Sequence, residues 1–185
     1  MTQVLFIQGA GEGAHRLDAE LAQALREQLG PGFEIDCPEM PNESEPDFEA
    51  WRTVIARKVS GAPQGLVLVA HSAGGTILMS YLAEEGASEN IISAFVIGAP
   101  FFGEGGWQVP GFTSPQAAGA AGNLPLYLYH GVQDETAPIA HLSLYATAFP
   151  NAVLRRLEGR NHQLNNDLTE VAADLRNLVT AARGS

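Results

Sequence analysis

The sequence is poor in positive charge. Ten of its 185 residues are lysine or arginine, against 21 aspartate and glutamate residues, which gives a formal net charge of −11. Nucleic acids and anionic membrane surfaces are bound through positively charged protein surfaces, so neither is expected as a partner. The same charge disfavours a strongly anionic substrate, and it also helps to keep a protein soluble.

Cysteine is nearly absent as well. Cys37 is the single cysteine, so the chain forms no internal disulfide and no cluster of thiolates. A lone cysteine beside a histidine can act as a nucleophile, but a buried structural thiol is the commoner case. The spacing of histidine and acidic residues is not typical of a metal site. We therefore expect neither a metal nor a cofactor.

Long hydrophobic runs are missing too. The longest run, residues 91–102, is shorter than the roughly 20 apolar residues that a membrane-spanning helix needs. The first 13 residues contain no basic segment of the kind that begins a signal peptide. We expect residues 1–185 to form one domain, located in the cytoplasm, and the sequence leaves its oligomeric state open.

The sequence instead contains six short apolar runs that alternate with helical patterns. Most of them are consecutive Val, Ile, Leu and Phe, which is typical of parallel strands covered on both faces. This rhythm predicts an α/β fold, a three-layer sandwich whose six-stranded, mostly parallel sheet has helices on both faces. The predicted strands are Val4–Gln8, Phe33–Cys37, Leu66–Ala70, Ala94–Ile97, Leu124–Tyr129 and Val153–Leu157.

Apolar residues at helical spacing mark the helices between these strands. Leu17, Leu21, Leu25 and Leu29 predict the first helix, ending at Gly30. Pro46 and Pro138 are expected in the first turns of the second and fourth helices. The rhythm breaks at residues 98–123, a long Gly-, Pro- and Ala-rich segment expected to act as a lid or to line a pocket.

The most informative motif surrounds Ser72. A buried-strand run, Leu66 to Val69, leads into Ala-His-Ser-Ala-Gly-Gly at residues 70–75 and then into a helix. A serine on such a tight strand-to-helix turn exposes its hydroxyl above the sheet, and the turn leaves room only for small neighbours. The alternative is a serine that caps an ordinary helix. Ala70 occupies the position of the first glycine in the usual G-x-S-x-G pattern.

An activated serine needs a base and a carboxylate that orients the base. Asp134 follows the predicted fifth strand and His162 follows the sixth, so both belong to loops at the same edge of the sheet as Ser72. The order Ser, Asp, His is the one that this arrangement requires. Glu135 is the alternative acid. The alternative bases, each with a less well placed carboxylate, are His15, His71, His130 and His141.

The glycine-rich loop after the first strand is the second candidate for chemistry. Backbone N–H groups of Ala10, in this loop, and of Ala73, at a helix N-terminus, are expected to form an oxyanion hole. A phosphate cradle is the alternative. Residues 9–13 do not fit the G-x-G-x-x-G pattern, however, because Gly13 comes one position early and no ribose-binding acid is clearly placed.

This order of motifs resembles the α/β-hydrolase superfamily across nearly the whole chain. The short length and Met40-Pro41 followed by Trp51 look like the small, nearly capless serine hydrolases related to retinoblastoma-binding protein 9. The resemblance implies that the first strand lies between the second and third, and that the chemistry is esterase-like. Gln8 departs from the family, which has an aromatic residue or histidine before the oxyanion-loop glycine.

Two functions remain open from the sequence. The first is a serine hydrolase that cleaves a small-molecule ester, thioester or related acyl bond through an acyl-Ser72 intermediate, with Asp134 and His162 completing the triad. The second is a binding or scaffold protein that retains the fold with little turnover. The candidate substrate-pocket residues are Met40, Phe101, Phe102, Trp107 and Phe112.

Overall fold

The computed structural model describes residues 1–184, which contain six β-strands and five α-helices. The strands are β1 (Thr2–Ile7), β2 (Phe33–Asp36), β3 (Leu66–His71), β4 (Ile91–Ile97), β5 (Leu126–Gly131) and β6 (Val153–Leu157). The helices are α1 (Ala14–Leu29), α2 (Phe48–Ser60), α3 (Ser72–Glu85), α4 (Ala140–Ala148) and α5 (Thr169–Gly184). All six predicted strands are present with small shifts at their ends.

The strands form one parallel sheet in the order β2-β1-β3-β4-β5-β6. The first strand therefore lies between the second and third, as the family resemblance implied. The two faces of the sheet carry separate hydrophobic clusters. One contains residues of α2, α3 and α4, and the other contains residues of α1 and α5. The predicted three-layer α/β sandwich is confirmed.

The central strands read as continuous apolar runs because both of their faces are covered. In β1, Leu5 and Ile7 pack into one cluster, while Val4 and Phe6 pack into the other. All six residues of β3 are buried. The edge strand β6 alternates between half-buried and exposed residues instead, because one of its faces is covered, in part by α5, and the other faces solvent.

Three details of the helices differ from the sequence prediction. Leu17 is exposed, and the buried stripe of α1 is Asp18, Leu21, Ala22, Leu25 and Leu29. Helix α2 begins after Asp47 rather than at Pro46, because the Asp47 carboxylate accepts a hydrogen bond from the Ala50 N–H and caps the helix. Helix α4 begins at Ala140, after a tight turn that starts at Pro138.

The carboxyl ends of the parallel strands lie at one edge of the sheet, where the loops after β1, β3, β5 and β6 meet. Residues 98–123 also leave the sheet at this edge. They contain two isolated β-bridges and a short 3-10 turn, Gly119–Ala121, but no α-helix. Among residues 1–184, no helix has the length and apolar character needed to cross a membrane.

Candidate active site

Ser72 occupies a strained turn between β3 and α3. Its φ of 51° lies in the left-handed region that non-glycine residues rarely adopt. Crowding explains its small neighbours. A Cβ at Gly74 would overlap the Gln8 carbonyl, and one at Gly75 would lie 2.7 Å from Val96 Cγ1. The close packing around this turn fixes its backbone conformation, and the turn holds the Ser72 hydroxyl at the edge of the sheet.

The structure brings Ser72, His162 and Asp134 into one hydrogen-bonded chain. Ser72 Oγ lies 3.0 Å from His162 Nε2, and His162 Nδ1 lies 2.7 Å from Asp134 Oδ2. Both distances are within hydrogen-bonding range. The His162 side chain is 12% exposed and that of Asp134 is fully buried, so the chain runs from the surface into the protein. Glu135 is exposed and points to no such partner.

The Asp134 carboxylate is held ionised by its surroundings. Burial by itself raises its pKa, but hydrogen bonds from His130 and His162 outweigh burial and bring the pKa well below the ordinary range. Asp134 Oδ1 also accepts the backbone N–H groups of Thr136 and Ala137 at 2.8 and 2.7 Å. Asp134 can therefore hold the His162 ring in one orientation without taking its proton.

The loop that carries His162 is rigidly braced. The Asn161 side chain accepts hydrogen bonds from the Gln163 and Asn165 N–H groups. Arg160 donates to the carbonyls of Leu164 and Asp167, and it forms ion pairs with Asp167 and Glu170. Three consecutive residues, 164–166, have left-handed φ values between 51° and 57°. Such a strained turn persists only where the contacts around it determine it.

Two glycines let this loop approach the sheet. A Cβ at Gly98, which has a φ of 58°, would lie 3.3 Å from His162 Nδ1 and 3.4 Å from Asp134 Oδ2. A Cβ at Gly131 would overlap the carbonyl oxygens of Arg160 and Asn161. Any larger residue at either position would displace the histidine or its acid.

The glycine-rich loop after β1 is held by two residues that the sequence analysis did not assign. Glu43 accepts hydrogen bonds from the N–H groups of Gly13 and His15 and from the Gln8 side chain, and these bonds lower its pKa against the effect of desolvation. Gln8 is fully buried, and its amide oxygen accepts the Met40 N–H at 3.0 Å. Gln8 thus fills the position where the family has an aromatic residue or histidine.

Ala10 and Ala73 both line one open groove, and Ala73 directly follows Ser72 in the chain. Within residues 1–184 the backbone N–H of neither residue donates to a protein acceptor. Unpaired N–H groups of this kind, one of them at the N-terminus of α3 directly after Ser72, are suited to bind an anionic oxygen. Glu43 and Gln8 keep the Ala10 side of this arrangement in place.

Three of the four other histidines, His15, His130 and His141, are held by separate contacts. His15 Nδ1 lies 2.9 Å from the Gln8 amide oxygen. His130 contacts Asp134 Oδ2 at 3.2 Å and the Ala137 carbonyl at 2.9 Å. His141 Nδ1 accepts the Phe101 N–H, and burial lowers the pKa of His141, which keeps this ring neutral. Of these three rings, only His130 touches the Ser72–His162–Asp134 chain.

Neither Cys37 nor a metal cluster competes with Ser72. Burial, together with the charges of Asp18 and Asp36, raises the pKa of the Cys37 thiol to about 11, so the thiol stays protonated at neutral pH. No group of three or more His, Cys, Asp and Glu in the part of the chain that the structure describes is arranged to hold a metal ion.

An open groove of about 670 Å³ is lined by Ala10 and by Ala73, the residue that directly follows Ser72. Three phenylalanines form an apolar wall: Phe48 stacks on Phe112 with ring centroids 4.0 Å apart, and Phe102 packs edge-on against Phe112 at 5.7 Å. Three carboxylates, Glu45, Asp47 and Glu49, lie along the rim. Phe48, the first residue of α2, is half-buried.

The five candidate pocket residues divide into three groups. Phe102 and Phe112 line the groove. Trp107 is 40% exposed and packs against Phe102 and His141 beside the groove without lining it. Met40 and Phe101 differ from the sequence prediction, because both are 2% exposed and belong to the hydrophobic core. Phe101 packs edge-on against Tyr145 of α4, so it closes the end of the sheet.

Sequence comparison matches almost the whole chain to one family. The sequence profile of the alpha/beta hydrolase family matches residues 4–182. No curated protein sequence is significantly similar to the chain.

Solved structures share the same fold at low sequence identity. A bromoperoxidase from Bacillus anthracis is 17% identical with a TM-score of 0.69, covering 97% of this chain and 92% of that one. Alpha/beta hydrolase domain-containing protein 10 from mouse is 16% identical with a TM-score of 0.69, covering 97% and 90%. The CarC enzyme, a serine hydrolase involved in carbazole degradation, is 12% identical with a TM-score of 0.71, covering 98% and 92%.

Proposed function

The chain belongs to the alpha/beta hydrolase family, and from this premise we propose that it is a serine hydrolase that cleaves a carboxylic ester, thioester or related acyl bond. One observation carries the proposal. The hydroxyl of Ser72, in a strained left-handed turn, lies 3.0 Å from a His162 ring whose other nitrogen is 2.7 Å from the buried Asp134 carboxylate. This is the arrangement that activates a serine for acyl transfer.

The first half of the reaction forms an acyl-enzyme. Ser72 Oγ attacks the acyl carbon while His162 Nε2 takes the hydroxyl proton. Asp134 accepts the Nδ1–H of the same ring, which fixes the tautomer and stabilises the imidazolium that forms. The carbonyl oxygen becomes an oxyanion that binds the N–H groups of Ala10 and Ala73. When the tetrahedral intermediate collapses, His162 donates its proton to the leaving group.

The second half of the reaction releases the acid. A water molecule gives a proton to His162 Nε2 and attacks the acyl carbon of acyl-Ser72. The same two N–H groups bind the second oxyanion. Collapse of this intermediate returns the proton from His162 to Ser72 Oγ and frees the carboxylic acid.

The groove indicates which acyl groups fit. Its volume of about 670 Å³ is in the range of small-molecule sites, and its wall of Phe48, Phe102 and Phe112 favours apolar or aryl acyl chains. The carboxylates of Glu45, Asp47 and Glu49 at the rim disfavour substrates with a negative charge at this end. We propose that a neutral, apolar acyl chain lies along the phenylalanines, with its carbonyl between Ala10 and Ala73.

An activity-based probe tests the proposal directly. The folded protein is incubated with a fluorophosphonate, and the adduct is located by peptide mass spectrometry. We expect one adduct on Ser72, none on the Ser72→Ala variant, and strongly reduced labelling of His162→Ala. A screen over acyl chain lengths and leaving groups then defines the substrate.

Failure of labelling would have a specific meaning. Folded protein that leaves Ser72 unmodified, and shows no turnover across the ester and thioester panel, would overturn the proposal. It would favour the alternative, a binding or scaffold protein that has kept the fold without the activity.

A further inference from the structure

A second Asp–His pair lies directly beneath the active site. Asp18 of α1 and His71, the last residue of β3, are 2% and 3% exposed. His71 Nδ1 lies 2.9 Å from Asp18 Oδ1 and 3.0 Å from Oδ2. The proposed reaction uses neither residue. A buried carboxylate and imidazole are costly to desolvate, so their presence calls for a role.

The contacts of His71 fix its protonation state. Its Nε2 lies 3.1 Å from the backbone carbonyl oxygen of His162, which can only accept a hydrogen bond. Its Nδ1 faces a carboxylate, and that carboxylate already accepts the Gly9 N–H at 2.6 Å. Both ring nitrogens must therefore donate, and imidazole is a stronger base than carboxylate. A doubly protonated His71 ring beside the Asp18 carboxylate satisfies all of these contacts.

These contacts connect the three segments that the proposed mechanism uses: the loop with Ala10, the loop with His162 and the turn at Ser72. Through Gly9, Asp18 holds the loop that presents the Ala10 N–H. Through the His162 carbonyl, His71 holds the loop that carries the base, and the two histidine rings are 4.7 Å apart. His71 also immediately precedes Ser72 in the chain. One ion pair thus touches the oxyanion loop, the base loop and the serine turn.

We infer that Asp18 and His71 form a buried ionic clamp that positions the oxyanion loop and the His162 loop relative to Ser72. This inference rests on the proposed hydrolysis. The two residues are positioning residues, since neither contacts Ser72 Oγ or the groove. Displacement of reacting groups by about 1 Å can cost roughly 100-fold in rate, so a rigid clamp has a large effect on turnover.

The variants Asp18→Asn and His71→Gln test the clamp. Each keeps a hydrogen-bonding side chain of similar shape but removes one charge of the pair. We expect kcat for a neutral ester to fall about 10- to 100-fold, with KM within about threefold, because alignment is lost and the groove is untouched. The double variant should lose no more than the worse single variant, since the pair acts as one unit.

A second ion pair supplies the matched control. Arg155 and Asp174 are joined by two hydrogen bonds of 2.9 Å between β6 and α5, and Asp174 also accepts from Tyr129. Asp174→Asn should lower the melting temperature while leaving kcat and KM near wild type. If Asp174→Asn reduced kcat as much as Asp18→Asn does, the loss would reflect general destabilisation and the clamp would be wrong.

A spectroscopic measurement tests the Asp18–His71 ion pair without relying on enzyme activity. In the wild-type protein labelled with ¹⁵N-histidine, both ring nitrogens of His71 should be protonated at about pH 7. The signal is assigned by its absence in His71→Gln or, if that variant does not fold, by its shift in Asp18→Asn. A ring with a single proton would overturn the ion pair.

The two hypotheses fail in different ways. Wild-type protein that neither labels at Ser72 nor turns over esters contradicts the proposed hydrolase, and the ¹⁵N spectrum still tests the pair. An active wild type whose kcat is unchanged in Asp18→Asn contradicts the clamp and leaves the hydrolase in place.

Discussion

The molecule contains the same chemical pair twice, at Asp134–His162 and at Asp18–His71. In both, a carboxylate lies within 3.0 Å of an imidazole Nδ1. They differ at the other ring nitrogen. That of His162 faces the Ser72 hydroxyl, which can donate or accept a proton, whereas that of His71 faces a backbone carbonyl, which only accepts. We infer that the third partner, more than the pair itself, decides whether such a histidine can transfer a proton or only hold neighbouring segments in place.

The two histidines also differ in solvent exposure. The His162 side chain is 12% exposed, while the His71 side chain is 3% exposed. A proton shuttle needs access to substrate and water, and a fixed ion pair is stronger when both are excluded. The predictions below test this contrast, from the largest expected effect to the smallest.

Removal of the proposed nucleophile or base should have the largest effect. We expect Ser72→Ala and His162→Ala each to reduce kcat by about 1,000-fold or more, because the triad acts as a unit. Both side chains are partly exposed, so the melting temperature should change little. Ester hydrolysis and thermal unfolding are measured on the same samples. A residual rate within tenfold of wild type would contradict the assignment.

The acid assignment is tested by comparing two neighbouring carboxylates. Asp134→Asn should lower kcat by about 100- to 10,000-fold, because the amide cannot hold the His162 ring in the same tautomer. Glu135→Gln, at an exposed position, should have almost no effect. Steady-state kinetics of the two variants decide between them, and the reverse result would move the acid role to Glu135.

The two pairs should lose their contributions to stability in opposite pH directions. His71 should lose its contribution as the pH rises. Burial alone lowers the pKa of His71, but the Asp18 charge and hydrogen bond outweigh it, and the net pKa lies above the ordinary 6.5. The stabilisation is therefore complete below pH 6.5 and is lost as the pH rises through the raised pKa. Asp134 and His162 also face this ring.

Asp134 should behave in the opposite way. Its pKa is held below the ordinary 3.8 despite burial, so its stabilisation is complete above pH 3.8 and is lost as the pH falls through the lowered pKa. Melting temperatures are measured from about pH 3 to about pH 10. The difference between wild type and His71→Gln should shrink on the alkaline side. That between wild type and Asp134→Asn should shrink on the acid side, and parallel curves would contradict both statements.

The aromatic wall should produce a smaller, selective effect. Phe112→Ala removes part of the apolar groove, so KM for medium-chain or aryl acyl esters should rise about three- to tenfold. KM for acetyl esters should change little, because an acetyl group has little apolar surface to bury against Phe112. Trp107→Ala, beside the groove, should show the same selectivity more weakly. Equal effects on both ester classes would remove the phenylalanines from the acyl site.

The rim charges should give the smallest effect. Glu45→Gln removes one exposed carboxylate, and a single screened charge is worth less than about 1 kcal/mol. We expect kcat/KM for an anionic ester to rise by less than about threefold relative to a neutral one, and the gain to disappear in high salt. A gain that persists in high salt would show that the rim acts through shape.

The difference between the two pairs also explains what the sequence analysis could assign. Ser72, Asp134 and His162 follow three separate strands in an order that the fold requires, so each has a local signal. Asp18 and His71 have no local sequence signal of comparable strength. One hint was available, because Asp18 lies at helical spacing with the buried Leu21, Ala22 and Leu25 of α1. The sequence analysis instead used Leu17, which is exposed, to mark this face of the helix.

The sequence by itself determined the strand–helix rhythm, the parallel three-layer sheet and the loops in which Ser72, Asp134 and His162 lie. These features follow from short-range patterns: apolar runs, helical spacing and small residues at a tight turn. Only the tertiary structure decided the partners of Gln8, Glu43, Asp18 and His71, and the burial of Met40 and Phe101. Those outcomes depend on which distant loops meet at one edge of the sheet, and no local pattern encodes such distances.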